Sequence, residues 1–259
     1  MKIGIIGSES SHAEAFGGIL RGMGHDAVID DSLTPTSLAA FDGVMLTARR
    51  GNLRERQAVP WIEAGVPLWI DKPFARDVAQ AEAILRAAKT RGVCVTGGSA
   101  CKFAPGVLSC ADRVKNGAFG NVRSAMLNFP IALDSPYDGI HFYAHHLAEL
   151  TLTALGYEMR AVRAFEKNGG LVCLARYDHF DAVMNFQPDA RDSYITVLGT
   201  RAQTAEKLDL SSIYADGVRA FTDMIENAEE PIPHHQLMFP VTVVNAIARS
   251  YQQNIEVDL

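Results

Sequence analysis

The chain has 259 residues, 48% of them hydrophobic and 21% charged, enough to bury one large core or two modest ones and too ordinary for a disordered, fibrous or membrane protein. Its net charge of -6 comes without any Lys/Arg-rich run, which excludes a nucleic-acid surface and leaves small molecules and other copies of the chain as the expected partners.

Lys2 to Ile6 is a β-branched run that stops at Gly7, and Ala13 to Met23 carries helical apolar spacing closed by Gly24, so the chain opens as strand, turn, helix. That apolar start is too short for a signal sequence or a membrane span, and a cytoplasmic protein is expected. His25 to Asp30 reads as a second buried strand, completing a βαβ unit. Short apolar runs at 43–47, 67–70 and 93–96 alternate with helical stretches at 53–64 and 78–91. This is the pattern of a doubly wound parallel sheet with helices on both faces, a Rossmann arrangement. The pattern changes after Gly97 and Gly98. A helix over 107–116 and a strand over 121–129 lead into strands at 161–166, 170–177, 182–186 and 193–198, and helices at 216–228 and 240–252 finish the chain. Runs of strands with few helices between them predict a second α/β domain, residues 101–259, with a large, mostly antiparallel, open-faced sheet. The first domain then covers residues 1–100. Cys94, Cys101, Cys110 and Cys173 show neither CxxC spacing nor disulfide-rich density, so they are expected to be buried thiols in a reducing compartment.

The turn after the first strand reads Gly7-Ser8-Glu9-Ser10-Ser11-His12. A dinucleotide loop uses three glycines, for the tight turn, the approach of the pyrophosphate and helix-on-strand packing, with an acid about twenty residues on for the ribose. Only the first glycine is present, and Asp30 stands where the acid is expected. Glu9 occupies the place of the second glycine, where a like charge at about 4 Å from phosphate costs roughly 1 to 4 kcal/mol. The hydroxyls of Ser8, Ser10 and Ser11 and the helix N-terminus offer compensating hydrogen bonds, unless the serines only cap the helix. Further on, Trp69-Ile70-Asp71-Lys72-Pro73-Phe74 ends a buried strand at the carboxyl edge of the sheet, where open α/β folds bind ligands. Thr47 ends another such strand. A third feature is the histidine cluster in Asp138-Gly139-Ile140-His141-Phe142-Tyr143-Ala144-His145-His146-Leu147-Ala148-Glu149, because imidazole titrates near neutrality. His234 and His235, after Pro231 and Pro233, read as surface loop residues.

These features together resemble the glucose-fructose oxidoreductase, inositol dehydrogenase and rhizopine-catabolism family. Asp71-Lys72-Pro73 is similar to its E-K-P motif, flanked by AVPWIEAGVPLWI and FARDVAQAEAIL; Lys102-Phe103-Ala104-Pro105 is similar to its R-F-x-P; and Asn116 to Val122 is similar to its G-x-x-G-x-V entry into the second domain. Leu198-Gly199-Thr200 and the terminal helix ending at Ser250-Tyr251 extend the resemblance over essentially the whole chain, with the first domain shortened after Asp31.

The resemblance implies a nicotinamide cofactor, held by Gly7, Ser8, Glu9, Ser10, Ser11, His12, Asp30, Thr47, Asp71, Lys72, Pro73 and Lys102. It also implies hydride exchange with a sugar, cyclitol or similar polyhydroxylated substrate. The family's G-x-H-x-x-D histidine fits two registers. His141 keeps Gly139 but meets Ala144 where the acid belongs, whereas His146 has Glu149 there; His146 is preferred. Its register puts Phe142 where relatives carry an aspartate. In this reading Lys72 orients the substrate oxygen and stabilises charge, His146 exchanges the proton, Glu149 orients the imidazole and Tyr143 bonds substrate. Asp30 favours NAD over NADP. Homodimers or homotetramers through the second sheet are expected. Two rival readings stay open: a metal-dependent lyase or isomerase built on the histidines, and a non-catalytic or regulatory relative that has lost cofactor affinity. No metal is expected in the leading one.

Overall fold

A computed structural model of the chain describes residues 1–36 and 41–259. They form two compact units, the first made of Met1–Ala100 with Ser212–Val241 and the second of Cys101–Ser211 with Thr242–Leu259.

The first unit holds a five-stranded parallel sheet in the order β2-β1-β3-β4-β5, with β1 at Lys2–Ile6, β2 at Asp26–Ile29, β3 at Gly43–Leu46, β4 at Leu68–Asp71 and β5 at Val95–Gly98. β3 and β4 are buried along their whole length, as strands covered on both faces must be. The helices are α1 (Ser11–Gly22), α2 (Arg54–Glu63) and α3 (Val78–Arg91). α3 has the span its sequence predicts. Asp77 caps it by accepting from the Gln80 amide at 2.9 Å, and Gly92 ends it in the left-handed conformation. Because the strand order reverses direction at β1, the carboxyl ends of β1 and β3 form the switch point where doubly wound sheets bind ligands.

The expected single boundary after residue 100 leaves out one exchange. The segment 212–241, which the sequence assigns to the second domain, belongs to the first unit. Its helix α6 (Ile213–Asn227) packs on α1, and its Phe221 ring lies 6.4 Å from that of Trp69 on β4. Gly217 allows this approach, since a Cβ there would stand 3.0 Å from the indole.

The second unit holds a seven-stranded sheet in the order β11-β10-β6-β9-β8-β7-β12. Its strands are β6 (Val122–Pro130), β7 (Ala161–Lys167), β8 (Gly170–Arg176), β9 (Asp181–Gln187), β10 (Tyr194–Gly199), β11 (Gln203–Lys207) and β12 (Glu256–Asp258). Every pairing is antiparallel except β6 with β9. Helix α5 (Ile140–Leu155) packs against β6 and β9 and against α4 (Pro105–Lys115). The row Ala164, Cys173, Met184, Leu127 and Ile195, in register across five strands, is buried. The adjacent row, Arg163, Leu174, Val183, Met126 and Thr196, points to the opposite face.

The edge strands β11 and β12 are short and polar and carry no sequence signal of their own. Helix α7 (His234–Gln253) begins before the expected start at Pro240. Pro233 is the proline at its entrance, with the Gln236 amide donating to the Pro233 carbonyl at 2.9 Å. His234 and His235 are therefore in the first helical turn and not in a loop, and His234 Nε2 lies 2.9 Å from Glu230. Among the described residues no helix is long and apolar enough to cross a membrane.

Candidate functional site

In the first unit the turn after β1 is shaped by Gly7, whose φ is +116° and whose added Cβ would stand 2.2 Å from the Ala48 amide nitrogen. Only glycine fits where the ends of β1 and β3 meet. Thr47, buried beneath, donates its hydroxyl to the Ile6 and Gly7 carbonyls at 3.1 Å. Ser10 is the N-cap of α1 and accepts from the His12 amide at 3.3 Å; Ser11 is the first helical residue. Ser10 thus has the capping role weighed for it.

Asp31 is the acid that reaches this loop. Its carboxylate accepts from the Gly7 amide at 2.6 Å, the Ser8 amide at 3.0 Å and the Ser8 hydroxyl at 2.6 Å. Burial pushes its carboxyl up, but the Ser8 hydroxyl and the two amides hold it below the ordinary carboxylate value. Asp30 is turned elsewhere, capping a local turn through the Ser32 amide and hydroxyl at 2.8 and 2.7 Å. Two adjacent aspartates follow β2, and only geometry separates their roles.

Glu9 folds back onto the segment after β3, accepting from the Arg49 amide at 3.0 Å. Behind it lies Arg54, fully buried, which donates to the carbonyls of Ala48 and Pro73. Burial lowers the Arg54 pKa to about 10 against the attraction of Asp71 and Glu9. The charge of Glu9 thus attracts a buried guanidinium that no sequence signal identifies.

His12, in the place of the third glycine, makes a three-residue chain. Its Nδ1 lies 2.7 Å from Asp71 Oδ2 and its Nε2 lies 2.9 Å from the Tyr214 hydroxyl. Burial pushes the Asp71 carboxyl up, but His12, Lys72 and Arg54 outweigh it and leave Asp71 below the ordinary carboxylate value. Asp71 is thus an ionised, fully buried group beside Lys72, itself only 5% exposed. Pro73, next along, is reached through its carbonyl by Arg54.

In the second unit, helix α5 is buried almost throughout. His146 lies beneath the Phe129 ring, centroids 4.9 Å apart, and its Nδ1 is 3.6 Å from the Cys101 sulfur. Tyr143 is one turn away, with its ring 6.4 Å from that of His146. His141 and His145 lie on the same helix and are also buried. Lys102, expected at the cofactor, and Glu149, expected to orient His146, form a buried ion pair with each other. Among the described residues no group of three or more His, Cys, Asp or Glu side chains is placed to hold a metal. Arg54, Tyr214, Asp31 and Cys101 are the residues of these clusters whose roles the sequence does not signal.

No protein-family model matches the chain, and no curated protein matches it by sequence. Its fold, however, is shared with many solved structures. A putative myo-inositol dehydrogenase from Sinorhizobium meliloti 1021 superposes with a TM-score of 0.79 at 15% identity, covering 100% of this chain and 99% of that one. The WlbA dehydrogenase from Bordetella pertussis, in complex with NADH and UDP-GlcNAcA, gives 0.80 at 15% identity, covering 100% and 98%. GenD2 from gentamicin A biosynthesis, in complex with NAD, gives 0.81 at 14% identity, covering 100% and 96%. The likeness over whole chains establishes the two-part architecture.

Proposed function

We propose that the chain is an NAD-dependent oxidoreductase acting on a CH–OH group of a sugar, cyclitol or similar polyhydroxylated molecule. The observation that carries this reading is the buried Asp71, paired with His12 at 2.7 Å and followed by Lys72 at the carboxyl end of β4, within a fold whose solved neighbours include proteins bound to NAD and to NADH.

The residues of the first unit fit a dinucleotide. Gly7 keeps the tight turn, the N-terminus of α1 follows it, and Asp31 stands with two loop amides at the end of β2. Glu9, the apparent obstacle, has its carboxylate turned to the Arg49 amide and its charge answered by Arg54. In this reading Ser11 and the start of α1 hold the pyrophosphate, Ser8 being engaged by Asp31. Asp31 binds the adenine ribose in place of Asp30, and its charge disfavours a 2′-phosphate, hence NAD over NADP.

When bound, the nicotinamide supplies or accepts the hydride. Lys72 orients the substrate oxygen and stabilises negative charge developing on it. His146 exchanges the hydroxyl proton, and Tyr143 hydrogen-bonds the substrate. Lys102 and Glu149 hold the α5 end of the cluster in place instead of touching cofactor.

The outward row of the seven-stranded sheet supports a homodimer or homotetramer. Leu174, Val183 and Met126 stand side by side on three strands, with Phe165, Tyr194 and Leu198 exposed nearby, a patch of the kind that marks a protein contact.

Titration of NAD and NADH, followed by calorimetry, is the direct test. Micromolar binding lost in Asp31→Ala, together with turnover of a polyol lost in Lys72→Met, is the expected result. No binding at millimolar cofactor overturns the proposal.

A further inference from the structure

His146 is held by a thiol where a catalytic imidazole is ordinarily held by a carboxylate or a carbonyl. The nearest acid by sequence, Glu149, has its charge taken up by Lys102. Cys101 and Lys102 are consecutive, and His146 and Glu149 stand one turn apart on α5, so two neighbouring side chains meet two helical positions in parallel. Both members of the sulfur contact are buried, Cys101 to 3% exposure and His146 to 8%. The Phe129 ring, tilted by 32° to the imidazole, covers one of its faces.

We infer that Cys101 is a positioning residue for His146, holding the ring through Nδ1 and selecting the tautomer that carries its proton on Nε2. The argument turns on donors and acceptors. A carboxylate only accepts, so it places the imidazole proton on Nδ1 and leaves Nε2 as a base. A thiol gives an S–H to a good acceptor more readily than its sulfur accepts a proton-bearing nitrogen, and an imidazole nitrogen is a good acceptor. With S–H directed at Nδ1, the neutral ring presents Nε2–H, a donor, to whatever oxygen lies before it. The contact stands whether or not the chain is a dehydrogenase; only its catalytic consequence rests on that proposal.

The test is nitrogen NMR of the full chain labelled with ¹⁵N-histidine, the His146 signals being identified by their loss in His146→Gln. At a pH where the ring is neutral, the wild type is expected to show an unprotonated Nδ1 and a protonated Nε2. Cys101→Ser, which keeps a donor, retains that pattern, whereas Cys101→Ala moves both signals toward the average of two exchanging tautomers. Circular dichroism of both variants establishes that they are folded. A wild-type spectrum with the proton on Nδ1, or one unchanged in a folded Cys101→Ala, overturns the inference. In turnover assays in the reducing direction, where Nε2–H donates to the substrate oxygen, Cys101→Ala is expected to lower kcat roughly tenfold with KM for NADH unchanged, and Cys101→Ser to recover most of it. The tautomer signature without any hydride transfer in the wild type would sink the proposed activity and leave the role of Cys101 standing.

Discussion

His12 and Asp71 are 59 residues apart in sequence, and the imidazole Nδ1 and carboxylate Oδ2 lie 2.7 Å apart. A side chain thus fills the place where a dinucleotide loop carries its third glycine, and it is matched to an acid that begins the Asp-Lys-Pro motif. His12→Ala removes the main partner of a buried carboxylate. It should cost about 2 to 4 kcal/mol, nearer the lower end because the imidazole is partly exposed to solvent. Since Asp71 titrates below its unfolded value, its contribution is fully present above about pH 4 and is lost as pH falls through the folded value. Acid unfolding of His12→Ala, followed by circular dichroism, should begin at higher pH than that of the wild type.

The adjacent acids after β2 should behave oppositely. Asp31→Ala removes the acceptor of two loop amides and the Ser8 hydroxyl and is expected to weaken NAD binding by tenfold or more, about 1.4 kcal/mol per factor of ten. Asp30→Ala breaks only a local turn and should change affinity less than about twofold, on the order of 0.4 kcal/mol. Calorimetric titration of the two variants compares them directly, and a larger loss in Asp30→Ala would reverse the assignment.

Lys102 and Glu149 form a buried pair, so single and double changes should be strongly non-additive. Lys102→Met removes the cation facing a buried carboxylate and should destabilise by about 3 to 5 kcal/mol, while Lys102→Met with Glu149→Leu should recover most of that loss. Urea midpoints for the four proteins of the cycle measure the coupling. Additive losses would show that the pair contributes little.

The outward row of the seven-stranded sheet makes a prediction about assembly. Met126→Lys combined with Val183→Glu places charges in the middle of the apolar row and should convert the proposed oligomer to monomer in sedimentation velocity. Because both side chains lie on the outward face, the fold should survive.

Alternation and apolar runs made the parallel sheet and most strands of the second sheet legible in the sequence. Lys2 to Ile6 and Val78 to Arg91 even have the predicted ends, because a glycine or an aspartate cap marks them. The edge strands β11 and β12 were not legible, since Gln203–Lys207 is a polar segment that pairs on only one side. Motif spacing singled out Lys72 and the α5 histidines as candidates. It pointed to Asp30, whereas one residue of turn geometry brings the Asp31 carboxylate to the loop instead. Nor did it find Arg54, which acts on Asp71, or Tyr214, which meets His12, since both come into place only through tertiary folding and belong to no local pattern. Cys101 stood beside a recognised motif without signalling that its sulfur would meet an imidazole.

The exchange of residues 212–241 makes the chain pass between the two units at three places, after residues 100, 211 and 241. Neither unit is therefore a contiguous stretch of gene. A fragment ending at residue 100 would lack α6 and uncover Trp69, and a fragment beginning at residue 101 would carry α6 without its partner sheet. Cutting at the obvious sequence boundary should yield two aggregating pieces. Joining residue 100 directly to residue 212 through a short linker, with the chain ended after residue 241, is the dissection that the topology permits.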